Sequence, residues 1–214
     1  MADIPKKDET RYSGLDINQI IFTNRIAMTS LSRLRQKKIE QTILNFKKQL
    51  RQNYRATPGP FSYIIILDNL KLDFNIGKIY RSADALGARE IHLIGTPYFD
   101  PSPAKGALKW IPTHFHDDFA SCHRRLTEQG YIFHIMSPEA AISLQESVLP
   151  QKTAFAFGHE EFGFSFNPDD FPDLLQVKIT QYGKVQSLNV SVAASMAMYE
   201  YTRQHGNFLP ASTK

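Results

Sequence analysis

Five short apolar runs limit what this chain can become: YIIIL at 63–67, IHLIG at 91–95, YIFHI at 131–135, TAFAFG at 153–158 and LLQVKI at 174–179. Each is bounded by turn-forming residues, and helical patterns separate several of them, at 77–87, 118–129 and 189–204. Apolar strands alternating with helices predict an α/β domain with a mostly parallel sheet flanked by helices. The chain's 214 residues suffice for one such core plus an extension.

The extension is read at residues 1–60. In SLSRLRQKKIEQTILNFKKQLRQNYR, Ile39, Ile43, Phe46 and Leu50 follow helical spacing, while Arg33, Arg35, Lys37, Lys38, Lys47, Lys48 and Arg51 occupy much of the rest. This pattern predicts an amphipathic helix with a core-facing stripe and a basic face. The ATPGP segment at 56–60 then marks a boundary, giving a basic helical extension over 1–60 and a larger domain over 61–214.

Charge sharpens that division. The net charge is +4, yet residues 1–60 carry 12 Lys and Arg against 5 Asp and Glu, and residues 61–214 carry 13 against 16. The positive excess therefore sits in the first part of the chain, as a polyanion partner would require; a solvated helix face would look the same. Cys122 is the only cysteine, so no internal disulfide can form. No apolar run approaches the ~18 residues of a membrane span. The opening MADIPKKDETRYSG lacks the apolar centre of a secretion signal. A cytoplasmic protein without a membrane partner is expected.

Three stretches carry more polar chemistry than packing requires. In LDNLKLDFNIGKIYRSADALGA (67–88), Asn75 and Gly77 open a helix that places Arg81 one turn in. The simplest alternative makes Asn75 a helix cap and Arg81 a surface partner of Asp84. In FAFGHEEFGFS (155–165), Gly158 and Gly163 bracket His159, Glu160 and Glu161 in a tight loop. In VKITQYGKVQSLNVSVAAS (177–195), Lys184, Gln186, Ser187 and Asn189 precede a helix whose Val190, Ala194, Met198 and Tyr201 form a buried face. A helix start needs one capping side chain, so the remaining polar groups suggest a binding site at its positive end.

Other chemistries find no support. The chain has neither a G-x-x-x-x-G-K-[ST] phosphate loop nor a G-x-G-x-x-G turn after a strand. His114 and His116 stand without a legible set of metal ligands, and Cys122 beside His123 reads as local helix composition, so no metal is expected.

Taken in order, the three stretches resemble the SpoU (TrmH-type) family of RNA 2′-O-ribose methyltransferases, of the SPOUT superfamily. The resemblance rests on Asn75-x-Gly77 with Arg81, Ala83, Ala85 and Gly87, then Gly158-x-Glu160-x-x-Gly163, then Ser187-Leu188-Asn189-Val190 with Ala193, and it covers about residues 61–204. The chain departs from the family at Thr180 and Gln181, where Pro and Met usually follow the isoleucine, and at Glu161, which replaces a common glycine.

The resemblance implies a C-terminal trefoil knot and S-adenosylmethionine as cofactor, held by Gly158, Ile179, Ser187 and Leu188. It implies catalytic roles for Arg81, Asn75, Glu160, Ser187 and Asn189. Arg81 would activate the ribose hydroxyl, although a guanidinium is a poor base and suits alkoxide stabilisation or phosphate binding better. Asn75 would orient the ribose or Arg81, and Glu160 would fix its loop or the Arg81 charge. A tRNA or rRNA substrate and a homodimer are also implied. The alternative is a catalytically inactive RNA-binding relative of the same fold.

Overall fold

The structure, a computed structural model, describes residues 30–206; the N-terminal segment read for a secretion signal lies outside them. In chain order the elements are α1 (Ser30–Leu50), β1 (Ile64–Asp68), α2 (Phe74–Ala85), β2 (Glu90–Ile94), β3 (Thr113–His116), α3 (Phe119–Glu128), β4 (Ile132–Met136), β5 (Ile142–Ser143), β6 (Thr153–Phe157), β7 (Leu175–Lys178) and α4 (Val190–His205). The seven strands form one sheet in the order β3-β2-β1-β6-β4-β7-β5. Every neighbouring pair is parallel.

The five apolar runs all became strands. Each residue of β1, β2 and β6 is buried, because helices cover both faces of a parallel sheet and leave no side for water. Ile65 and Leu67 join one core with Ile76, Ile79 and Tyr80 of α2 and Ala194, Met198 and Tyr201 of α4. Ile64 and Ile66, pointing the other way, join a second core with Phe119, Cys122 and Leu126 of α3. A buried Ile or Leu contributes ~1.5–3 kcal/mol relative to an exposed one, so these two layers supply the main drive for folding. Two strands lie outside the sequence reading. Strand β3, THFH, is half-buried throughout and lacks an apolar run, and β5 has only two residues.

The described chain divides into two compact units between Gln41 and Thr42, within α1. Beyond that division, Ile43 and Phe46 are buried, and the Phe46 ring meets Phe99 edge-on at 5.0 Å. Before it, Arg33, Arg35, Lys37 and Lys38 are exposed. Ile39 is exposed too, so the expected core-facing stripe is shorter than its helical spacing implied.

Helix α2 begins at Phe74, three residues before the expected start, because the Asp73 carboxylate accepts the Asn75 N–H and caps it. Gly77 lets this helix approach the following segment: a Cβ there would lie 2.9 Å from the Asp100 carbonyl oxygen. Ser195 of α4 donates to Ser82 of α2 at 2.8 Å, which locks the two helices side by side. Among the described residues, no helix is long and apolar enough to cross a membrane.

Asp68 closes β1 and anchors a distant loop. Its fully buried carboxylate accepts Ser165 N–H at 2.6 Å and Ser165 O–H at 2.7 Å. Burial raises the Asp68 pKa, and the two Ser165 bonds oppose that rise. Ser165→Ala should therefore destabilise the protein by ~1–3 kcal/mol, seen as a lower Tm. Losing a donor raises the folded-state pKa further, so the deficit should grow as pH rises through the Asp68 titration and shrink in acid. An equal Tm loss in acidic and neutral buffer would contradict this account.

Candidate active site

In a parallel sheet the strand ends point one way, and the segments leaving them meet there. Segments following β4, β6 and β7 and the start of α4 enclose a cavity of about 400 Å³. Phe157, Ile179, Leu188, Val190 and Ala193 supply apolar wall, and Glu160, Gln181, Ser187 and Asn189 supply polar groups. All four residues expected to hold a cofactor, Gly158, Ile179, Ser187 and Leu188, line it. A larger depression of about 510 Å³ lies between α2 and α4, but among the expected site residues it holds only Ile179.

The glycine-bracketed loop has a geometric cause. His159 N–H donates to the Gly163 carbonyl at 2.7 Å, and Gly163 N–H returns a bond to His159 at 2.9 Å. Gly163 adopts a φ of 72°, and a Cβ on Gly158 would fall 2.6 Å from the Gly163 carbonyl carbon. Gly158 thus makes room for the turn, and Gly163 supplies its left-handed backbone. Inside it, His159 Nδ1 accepts Glu161 N–H at 3.0 Å and Phe162 N–H at 3.3 Å.

One hydrogen-bond chain joins all three sequence motifs. Asn75 is buried, and its Nδ2 donates to Glu160 Oε1 at 2.9 Å while its Oδ1 accepts from Asn189 Nδ2 at 3.2 Å. The second Glu160 oxygen accepts Lys71 N–H at 3.2 Å. Asn75 is therefore a bridge between loops, while Asp73 does the capping. Asn189 does both: its Oδ1 accepts Ser191 N–H at 2.9 Å as the cap of α4, and its amide reaches Asn75. The polar cluster before α4 is a cap and a site together.

Arg81 stands apart. Its side chain is exposed and does not line the cavity. Among the described residues it pairs with neither Asp84 nor Glu160, so Glu160 fixes the loop and leaves the Arg81 charge uncompensated.

Two groups escaped the sequence reading. Lys71 clamps both acids of the loop, by its N–H to Glu160 and its ammonium to Glu161, whose pKa this hydrogen bond lowers. Nothing local marks Lys71, because its partners lie some ninety residues away. Gln181 carries a buried Oε1 with no partner among the described residues, inside the cavity lining. A buried orphaned acceptor is costly unless a ligand N–H or O–H meets it. Apolar wall, one waiting acceptor and the positive end of α4 suit a flat heteroaromatic ligand with an amino group and a charged tail.

Comparison with known proteins agrees with this arrangement. A model of the SpoU rRNA Methylase family matches residues 62–199. The tRNA (guanosine(18)-2′-O)-methyltransferase of Thermus thermophilus is 34% identical over 145 residues, covering 65% of this chain and 74% of its own. The 23S rRNA (guanosine-2′-O-)-methyltransferase RlmB of Nitrosomonas europaea is 30% identical over 147 residues, covering 66% of this chain and 56% of its own. This chain thus spans little more than half the length of that second relative. The crystal structure of the A. aeolicus TrmH/SpoU tRNA modifying enzyme superposes with a TM-score of 0.62 at 25% identity, covering 74% of this chain and 83% of that one.

The bridge makes a specific prediction. Asn75→Leu keeps the branched shape but strands both Glu160 and Asn189, so amide hydrogen exchange should accelerate together in residues 159–163 and 187–191. Acceleration in only one segment would show that the bridge does not couple them.

Proposed function

This chain belongs to the SpoU rRNA methylase family, and we propose that it methylates a ribose 2′-hydroxyl of RNA with S-adenosylmethionine as donor. The observation that carries the proposal is the Asn75–Glu160–Asn189 chain, which draws the three motifs together at the rim of one cavity. S-adenosylmethionine supplies a methyl group already activated on a sulfonium. What remains for the protein is to bind, align and handle one proton. Ile179 and Leu188 would flank the adenosine, and Gln181 Oε1 would accept a hydrogen bond from an amino group. Thr180 takes a proline's usual place, and its Oγ1 bond to Ser143 at 3.1 Å holds the segment to β5 in place of a rigid ring.

Arg81 would act on the RNA. A guanidinium keeps its charge, so it stabilises an alkoxide forming on the ribose or grips the neighbouring phosphate rather than serving as base. Its exposed position on α2, without an ion-pair partner among the described residues, fits a group completed by substrate or by a second subunit. A homodimer is supported by Val192, Met196 and Tyr199, which lie exposed on one face of α4 at three- and four-residue spacing. A cytoplasmic location follows from the same reading, since RNA modification needs neither a membrane nor a disulfide.

Arg81→Ala should lower single-turnover methylation by ~10²–10³ while leaving cofactor affinity nearly intact. Leu188→Arg should do the reverse, abolishing cofactor binding by placing an unpaired cation in the apolar wall. Calorimetry and methyl transfer to total RNA measure the two effects. Cofactor binding without any transfer by the wild-type protein would instead favour an inactive RNA-binding relative.

The basic residues of α1 would contact RNA phosphates. Replacing Arg33, Arg35, Lys37 and Lys38 by Gln should weaken RNA binding and flatten log K against log salt by somewhat under one unit per lost contact. An unchanged slope would reassign this face to solubility. These positions precede Thr42, so the buried Ile43 and Phe46 stay in place.

A further inference from the structure

Toward the β3–β2 edge of the sheet, a second set of reactive side chains gathers. Register pairs His92 of β2 with His114 of β3, and Ile94 with His116. Alternation along the strands then puts Glu90, His92, His114 and His116 on the face covered by α3, where Cys122 projects inward. The reading of His114 and His116 as isolated histidines missed this, because the sequence keeps β2, β3 and α3 apart.

The distances are close to those of a ligand set. His92 Nδ1 lies 2.8 Å from His116 Nε2 and 3.7 Å from Cys122 Sγ. All three ligand atoms fall within 4.8 Å of one another. A tetrahedral zinc with Zn–N of ~2.0–2.1 Å and Zn–S of ~2.3 Å needs N···S near ~3.6 Å and N···N near ~3.3 Å. The sulfur already stands at that distance from His92, and the two rings need to part by about half an ångström. The other His92 nitrogen, Nε2, is held by Glu90 Oε1 at 3.0 Å, and the second Glu90 oxygen lies 3.4 Å from His114 Nε2. A carboxylate behind a ligating imidazole is the usual support of a protein metal site, since it fixes the ring and raises its basicity. His92 and Cys122 are fully buried, whereas His116 is only half-buried.

We propose that His92 Nδ1, His116 Nε2 and Cys122 Sγ bind one zinc-like divalent ion, with Glu90 orienting His92 and water in the fourth position. Two nitrogens and a thiolate select a borderline-soft ion over magnesium or calcium. On binding, the Cys122 S–H bond gives way to a sulfur–metal bond and the proton passes to solvent. Burial otherwise pushes this thiol up to about 12, so the metal must drive the ionisation. The ion would tie edge strand β3 and helix α3 to β2, a structural role separate from methyl transfer.

The test uses the full chain stripped with chelator, titrated with zinc alone against a chromophoric competitor and with cobalt(II) alone by absorption. One metal per chain is expected, with the near-ultraviolet thiolate-to-cobalt charge-transfer band and the intense visible bands of a tetrahedral site. Cys122→Ser should lose the charge-transfer band. Glu90→Gln should keep it while zinc affinity falls ~10–100-fold. Absence of the band from the wild-type protein at excess cobalt would overturn the proposal, as would its survival in Cys122→Ser. If that variant fails to fold, the wild-type spectrum and the Glu90→Gln affinity still decide.

Discussion

The carboxamide of Asn75 holds the candidate active site together. One donor and one acceptor on a single buried side chain meet a carboxylate from the β6 loop and an amide from the cap of α4. Each partner segment has anchors of its own, the loop at Lys71 and Asp68 and the cap at the start of α4, and the bridge ties the two together. An amide is the side chain that can do this, because it donates and accepts at once without carrying charge. Aspartate at this position would oppose Glu160, and leucine would satisfy neither neighbour. The three motifs are thus one constellation, and the cavity they border exists because that constellation is closed.

The parallel sheet makes such a closure possible. Burial of β1, β2 and β6 on both faces leaves their carboxyl ends as a place where polar segments can gather without disturbing the core. Asp68 extends the same logic. It ends β1 with a buried carboxylate whose needs are met by Ser165, and so ties down the far end of the acidic loop. The glycines at 158 and 163 let the loop turn within the space that remains. Toward the β3–β2 edge, strand register serves another purpose, gathering Glu90, His92, His114 and His116 near Cys122.

Much of this was legible residue by residue. Continuous apolar runs bounded by turns identify five of the seven strands, and helical spacing places α2, α3 and α4 to within a few residues. The glycine-bracketed loop and the polar run before α4 announce themselves, because nothing in ordinary packing calls for them. Strand β3 was missed because THFH has no apolar run, being half-exposed at a sheet edge, and Ile39 was misassigned because periodicity does not say where a core ends.

By itself, then, the sequence determined fold class, the residue types at the site and the family to which they point, since all of these are carried by local pattern and ordered motifs. The tertiary structure alone decided how those residues are partnered. It made Asn75 a bridge rather than a cap, turned Glu160 toward Asn75 and Lys71 rather than Arg81, left Arg81 exposed, and set Gln181 in the cavity wall as an acceptor with no partner among the described residues. It also brought His92, His116 and Cys122 within bonding reach of a single ion. The physical reason is common to all of them: hydrogen bonds and metal ligation act over about three ångströms in space, and folding alone brings residues as far apart as Asn75 and Asn189 within that range.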